Sequence, residues 1–203
     1  MSRIAPLPRE EMPEFEHLFI AAEKSGHFVP NFVRIMARRP EIYAAHRQVR
    51  DAIVGPGTVS QELKTFIALV ASLSSGCQYC AAHNANFAQR DGVAPEKEAD
   101  IWAYETSAHY SEAERSALRV AQAAAQVPNA VTDEDFEDLK THFSDEQIVE
   151  IIAVISLFGF LNRFNDTMAT TLEPAAVVAG ETFLSGYGWN VGKHKPQDNK
   201  PKL

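Results

Sequence analysis

Cys77 and Cys80 are the only cysteines of the chain, and His83 follows three residues after the second in the run GCQYCAAH. A pair at this spacing supports dithiol-disulfide exchange or metal ligation, or packs as two small inert side chains. Zinc would require a fourth ligand or an open catalytic position, and no second Cys-x-x-Cys or His-x-x-x-His accompanies the pair. No metal and no cofactor is expected. Redox chemistry needs only the two thiols and a proton carrier.

Gly76 suits the end of one helix, so Cys77 opens another that runs to about Arg90, with both thiols in its first turn. Unpaired backbone N–H groups and the positive end of the helix dipole favour thiolate there, which predicts cysteine pKa values lowered towards neutrality. On this argument alone Cys77 is the more acidic thiol. Residues three apart share a helix face, so the sulfurs can approach bonding distance, and His83 is placed to exchange a proton with the Cys80 sulfur. A peroxide would convert one thiolate to a sulfenic acid, which the other condenses to a disulfide.

The elements that must position this site read as all-α. Glu14 to Lys24 places Phe15, Leu18, Phe19 and Ala22 on one helical face, a short helix follows Pro30, and Pro40 opens another that GPGT at 55–58 ends. Thr58 with Gln61 has capping-box spacing before LKTFIALVASLSS, which is apolar nearly all round and so predicts a buried helix leading to the cysteines. Ser111 with Glu114 and Ser144 with Gln147 repeat the signature. The helix after Ser144 is long and strongly apolar, which burial against a second copy would explain and a central core position would explain too.

Other polar residues have ordinary readings. Asn162, Arg163, Asn165 and Asp166 interrupt that apolar helix, and an Arg163 to Asp166 pair fixing helix packing is favoured over a lining for the cysteine cavity. Tyr79 is expected to pack, His109 and His142 to sit near helix ends, and Phe158, Phe160 and Phe164 to join the core.

A chain of 203 residues, 45% hydrophobic, can bury a core without disulfide or metal support. Its net charge of -8 argues against a nucleic-acid groove. No segment approaches the roughly 18 uninterrupted apolar residues of a membrane span, and no signal-peptide pattern opens the chain, so the expectation is a cytoplasmic protein without membrane contact. The expected organisation is an N-terminal helical extension over 1–29, one helical domain over 30–185, and a polar tail over 186–203 that is mobile or lies on a neighbouring subunit.

The stretch SQELKTFIALVASLSSGCQYCAAHNANFA resembles the carboxymuconolactone decarboxylase-like superfamily in its alkylhydroperoxidase AhpD-like, peroxidase-related branch. The similarity continues through YETSAHYSEAERSALRV to LNRFNDTM, ending in Asn162, Arg163, Phe164 and Asp166, and covers roughly residues 30 to 175. The resemblance implies an all-α AhpD-like fold with the Cys-x-x-Cys at a helix N-terminus, assembled as a homo-oligomer, a trimer or hexamer. It also implies a peroxiredoxin-type thiol peroxidase or disulfide reductase acting on a small hydroperoxide, with a thiol or dithiol as electron donor. Carried over by position, Cys80 is the thiol attacked by peroxide and Cys77 resolves it. The family's relay histidine and glutamate would fall at Asn84 and Thr65, so His83, one residue earlier, and Glu62, one turn back, are the candidates for the proton relay. Two alternatives stay open: an oligomeric redox sensor or binding module with a degenerate relay, and an acid-base enzyme of the lactone decarboxylase kind.

Overall fold

The structure, a computed structural model, describes residues 2–196. Ten α-helices account for most of it, and among the described residues no strand occurs. They are α1 (Glu16–Lys24), α2 (Asn31–Met36), α3 (Pro40–Val54), α4 (Gln61–Ser74), α5 (Gln78–Arg90), α6 (Pro95–Ala99), α7 (Glu112–Ala124), α8 (Asp133–His142), α9 (Asp145–Met168) and α10 (Pro174–Ala179).

The centre is the α4–α5 hairpin. Every residue of α4 from Leu63 to Ser72 is buried, as its all-round apolar sequence requires, against α5, α7 and α9. Gly76 turns the chain between the two helices at φ +72°, a conformation that costs a residue with a Cβ and costs glycine little. The N-caps do the starting: Ser111 and Ser144 form the expected capping boxes, and Thr132 with Asp135 forms a third at α8.

The cap of α4 differs from expectation. Ser60, not Thr58, accepts the Leu63 N–H, while Thr58 gives both its backbone N–H and its hydroxyl to Glu150 on α9. Glu150 also pairs with Lys64, which is 2% exposed and donates to the Ile53 and Gly55 carbonyls. This one buried cation thereby ties the end of α3 and the start of α4 to α9. The carboxylate drew Thr58 away because a buried ammonium needs a charged partner.

Helix α9 is long and apolar enough to cross a membrane by length and composition, yet Ile151, Val154, Leu157 and Leu161 are buried in this core. Its other face is open, with Val149 70% and Phe160 46% exposed. The expected Arg163–Asp166 pair does not form: Arg163 points to the exposed side, and Asp166 pairs with Lys193 at 2.7 Å.

The tail from Gly186 is also not free as far as it is described. Trp189 and His194 are buried, the Trp189 indole donates to the Gln78 carbonyl at 3.0 Å, and the Leu172 N–H donates to the His194 carbonyl. Aromatic area outweighs the polar composition that suggested mobility. Residues 197–203 of the expected tail lie outside the described residues.

Candidate active site

Cys77 is the N-cap of α5, and its sulfur accepts the Cys80 N–H at 3.4 Å. Both thiols are free and buried, but of the two only Cys80 lines a cavity of about 660 Å³. Phe28, Phe32, Phe87 and Phe158 wall this cavity, which the N-terminal segment helps to close through Leu18, Ala22 and Phe28. The region before residue 30 is thus part of the site.

Burial overrides the helix terminus at Cys80. Loss of solvent, followed by the hydrogen bond and charge of Cys77, pushes the Cys80 thiol well above its ordinary value, while a hydrogen bond from Asn165 Nδ2 to the sulfur, at 3.5 Å, works in the opposite direction. The expectation of a thiol lowered towards neutrality is therefore corrected for Cys80: the dipole acts, but a fully desolvated thiolate costs more. Such a thiol needs a base.

His83 sits one turn beyond Cys80 and lines the same cavity, 5% exposed. Its Nε2 lies 2.7 Å from Glu173 Oε2, a carboxylate delivered by the segment that caps α10. Burial pushes the Glu173 carboxyl up, but the charge and hydrogen bond of His83, with the Asn31 backbone N–H, outweigh it and hold the group below the usual carboxylate range. An ionised carboxylate only accepts, so Nε2 is the nitrogen that donates to it, and Nδ1 has no partner among the described residues. In a neutral ring, Nδ1 is therefore the nitrogen that would accept a proton.

Glu173 Oε1 is held as well. It accepts from Tyr79 Oη at 3.2 Å and from the Asn31 N–H, and the Phe32 N–H donates to the same tyrosine oxygen. Tyr79, expected only to pack, is therefore a hydrogen-bond donor to the acid, with its ring 4.4 Å from that of His83.

The remaining candidates divide. Asn165 reaches the Cys80 sulfur, so this one member of the α9 polar cluster lines the site, while Asn162 donates to the Ala71 carbonyl. Thr65 lines the cavity, and Asn84 donates to the Cys80 carbonyl. Glu62 does not join: it is not among the residues that line the cavity, and it pairs with Lys97 at 2.5 Å. The carboxylate that does meet His83 lies ninety residues away in sequence, where no local spacing pointed to it. The one available signal was an acid immediately before Pro174, an N-cap position.

The site can therefore deprotonate a buried thiol, return the proton to a leaving group, and close a disulfide, in a chamber sized for a small apolar molecule. The model of the carboxymuconolactone decarboxylase family matches residues 40–123. The debrominase Bmp8 is 33% identical and superposes with a TM-score of 0.82, covering 89% of this chain and 97% of its own. A cysteine-to-alanine variant of Bmp8 is also known in complex with 2,3,4-tribromopyrrole. An uncharacterized peroxidase-related protein from Silicibacter sp. TM1040 is 25% identical with a TM-score of 0.70, over 85% of this chain and 89% of that one. YdfG of Bacillus subtilis is 22% identical over 112 residues, 55% of this chain and 76% of that protein. With an all-α fold, a Cys-x-x-Cys at a helix start and this similarity along nearly its whole length, the chain belongs to the AhpD-like branch of the carboxymuconolactone decarboxylase-like superfamily.

Proposed function

We propose that the protein is a dithiol-dependent oxidoreductase that reduces a small hydroperoxide, with Cys80 as the attacking thiol, Cys77 as the resolving thiol and His83, backed by Glu173, as the proton carrier. The observation that carries this reading is the His83–Glu173 pair beside the one cysteine that lines the cavity. His83 takes the Cys80 proton, and the thiolate attacks the terminal peroxide oxygen. The O–O bond breaks, and the alkoxide leaves with the proton from His83, leaving a sulfenic acid on Cys80. Cys77 displaces its hydroxyl as water to give the disulfide, and an external thiol or dithiol restores the pair. One hydroperoxide and two thiols thus yield one alcohol, one water and one disulfide.

A second substrate class is favoured by a specific observation, the 33% identity to a debrominase over 97% of that protein's length. The same two electrons would replace a ring C–Br bond by C–H and release bromide, with the proton from His83 going to carbon. Steady-state assays separate the two: hydroperoxide consumption with a dithiol donor, and bromide release from a brominated ring under the same conditions. Loss of either turnover in Cys80→Ser supports the cycle. Full turnover in Cys80→Ser would refute it.

The non-catalytic sensor reading rested on the absence of a relay at Thr65 and Asn84, and the His83–Glu173 pair supplies a different one. The proposal includes assembly of several copies, with the open α9 face at Val149 and Phe160 covered by a second copy. Sedimentation velocity tests this: Phe160→Glu is expected to shift the protein to a smaller species.

A further inference from the structure

His46 on α3 lines the same cavity as Cys80 but takes no part in the redox cycle. It is 7% exposed, and neither of its ring nitrogens has a hydrogen-bond partner among the described residues. Aromatic contacts hold the ring in place: Phe32 meets it edge-on and Phe160 stacks on it, each at 5.9 Å between centroids. A phenylalanine would make those contacts equally well. An imidazole there gives up two hydrogen bonds that water supplies in the unfolded chain, a loss that a ligand with the complementary group recovers.

The charge around His46 says which group that is. The chain has 27 acidic and 19 basic residues, yet the cavity lining carries Arg47, Arg50, Lys64 and Arg90 against Asp91. Lys64 is committed to Glu150. Arg47 and Arg50 share a single carboxylate, Asp51, at 2.7 and 3.1 Å, which leaves an excess positive charge beside the imidazole. Burial, and then these two arginines, hold His46 below its ordinary pKa, so it is neutral and offers one N–H. Cations nearby and one buried N–H donor together make a receptor for an anionic oxygen.

We propose that the cavity takes its substrate as a small amphipathic carboxylate: the apolar body lies against Phe28, Phe32 and Phe158, the carboxylate accepts from His46 in the field of Arg47 and Arg50, and the reducible end faces Cys80. The placement of the reducible end rests on the dithiol reading. The carboxylate site does not, and it is tested without turnover.

The test is calorimetric binding of 3-phenylpropanoate and of 3-phenylpropanamide, its neutral near-isostere, to the reduced wild-type protein. Neither probe is reducible, so an inactive dithiol leaves the result unchanged. The carboxylate is expected to bind at least ~10-fold more tightly than the amide, the worth of one charge-assisted hydrogen bond. His46→Phe, which keeps the aromatic contacts, is expected to bring that ratio down to about 3, the share that the field of the arginines supplies without that bond. Arg50→Gln, at a side chain 41% exposed, is expected to reduce the ratio about threefold by weakening the field. Equal affinities in wild type, no binding of either probe, or a ratio unchanged by His46→Phe would overturn the proposal. Should His46→Phe not fold, an unchanged ratio in Arg50→Gln would overturn it.

Discussion

At the residue scale the decisive quantity is the cost of a buried thiolate at Cys80. Its raised pKa means that the resting form near neutrality is the thiol, so its reaction with a small alkylating agent should accelerate with pH well beyond pH 8. Mass-spectrometric mapping of iodoacetamide labelling checks this; full, pH-independent labelling of Cys80 between pH 6 and 8 would contradict it. Glu173→Gln keeps the shape of the acid but loses the charge that fixes the His83 tautomer. Its turnover should fall by roughly 10²-fold or more, the usual worth of a positioned general base, while thermal stability shows that the fold survives. The cysteines and His83 were legible because the first two turns of one helix carry them. Glu173 was not, since it reaches His83 from the far end of the chain, and Tyr79 looked like core because its hydroxyl partner was that unseen acid.

At the scale of elements, the fold places the site by clamping the start of α5. Trp189 hangs on the Gln78 carbonyl between the two cysteines, and a Cβ at Gly180 would come within 2.5 Å of its ring. Gly180→Ala should therefore displace Trp189 and destabilise the protein by about 1–3 kcal/mol, as overpacking does, read as a loss in chemical denaturation with quenching or shift of tryptophan emission. Wild-type stability with unchanged emission would count against the clamp. Most helices were readable from their caps and apolar faces, and Pro40–Val54 fell at its expected bounds. The α4 cap was misread because Thr58 answers a carboxylate on α9 ninety-two residues away, and no local pattern encodes that.

For the whole molecule, two carboxyls impose opposite pH dependences on stability. Burial pushes Glu150 up, but Lys64 and the Thr58 and Val59 donors outweigh it and hold the group down at about 2, against an ordinary 4.5. A lowered folded-state pKa contributes stability that is complete above about pH 4.5 and lost as pH falls towards 2. Glu150→Ala leaves Lys64 buried without its counter-charge and should cost roughly 3 kcal/mol at neutral pH. Glu98 is the reverse case. It is fully buried with neither carboxyl oxygen partnered among the described residues, and burial raises it to about 8. The folded state keeps that proton while the unfolded chain loses it, so stability should decline between about pH 4.5 and 8 by up to ~1.4 kcal/mol per pH unit. Glu98→Gln should remove that slope in a denaturation series across those pH values. A slope identical to wild type would show that Glu98 is not protonated in the fold. From sequence the all-α class and the buried helix that leads to the cysteines were plain, whereas the packed tail was hidden by its lysines, which drew attention from Trp189 and His194.

The most direct test of the central claim is site-resolved mass spectrometry after one equivalent of hydroperoxide is added to the reduced protein. The account predicts a Cys77–Cys80 disulfide in wild type, a sulfenic acid trapped on Cys80 in Cys77→Ser, and an unmodified Cys77 in Cys80→Ser. A sulfenic acid on Cys77 in Cys80→Ser, or inert thiols in the wild type with both hydroperoxide and brominated ring, would contradict it.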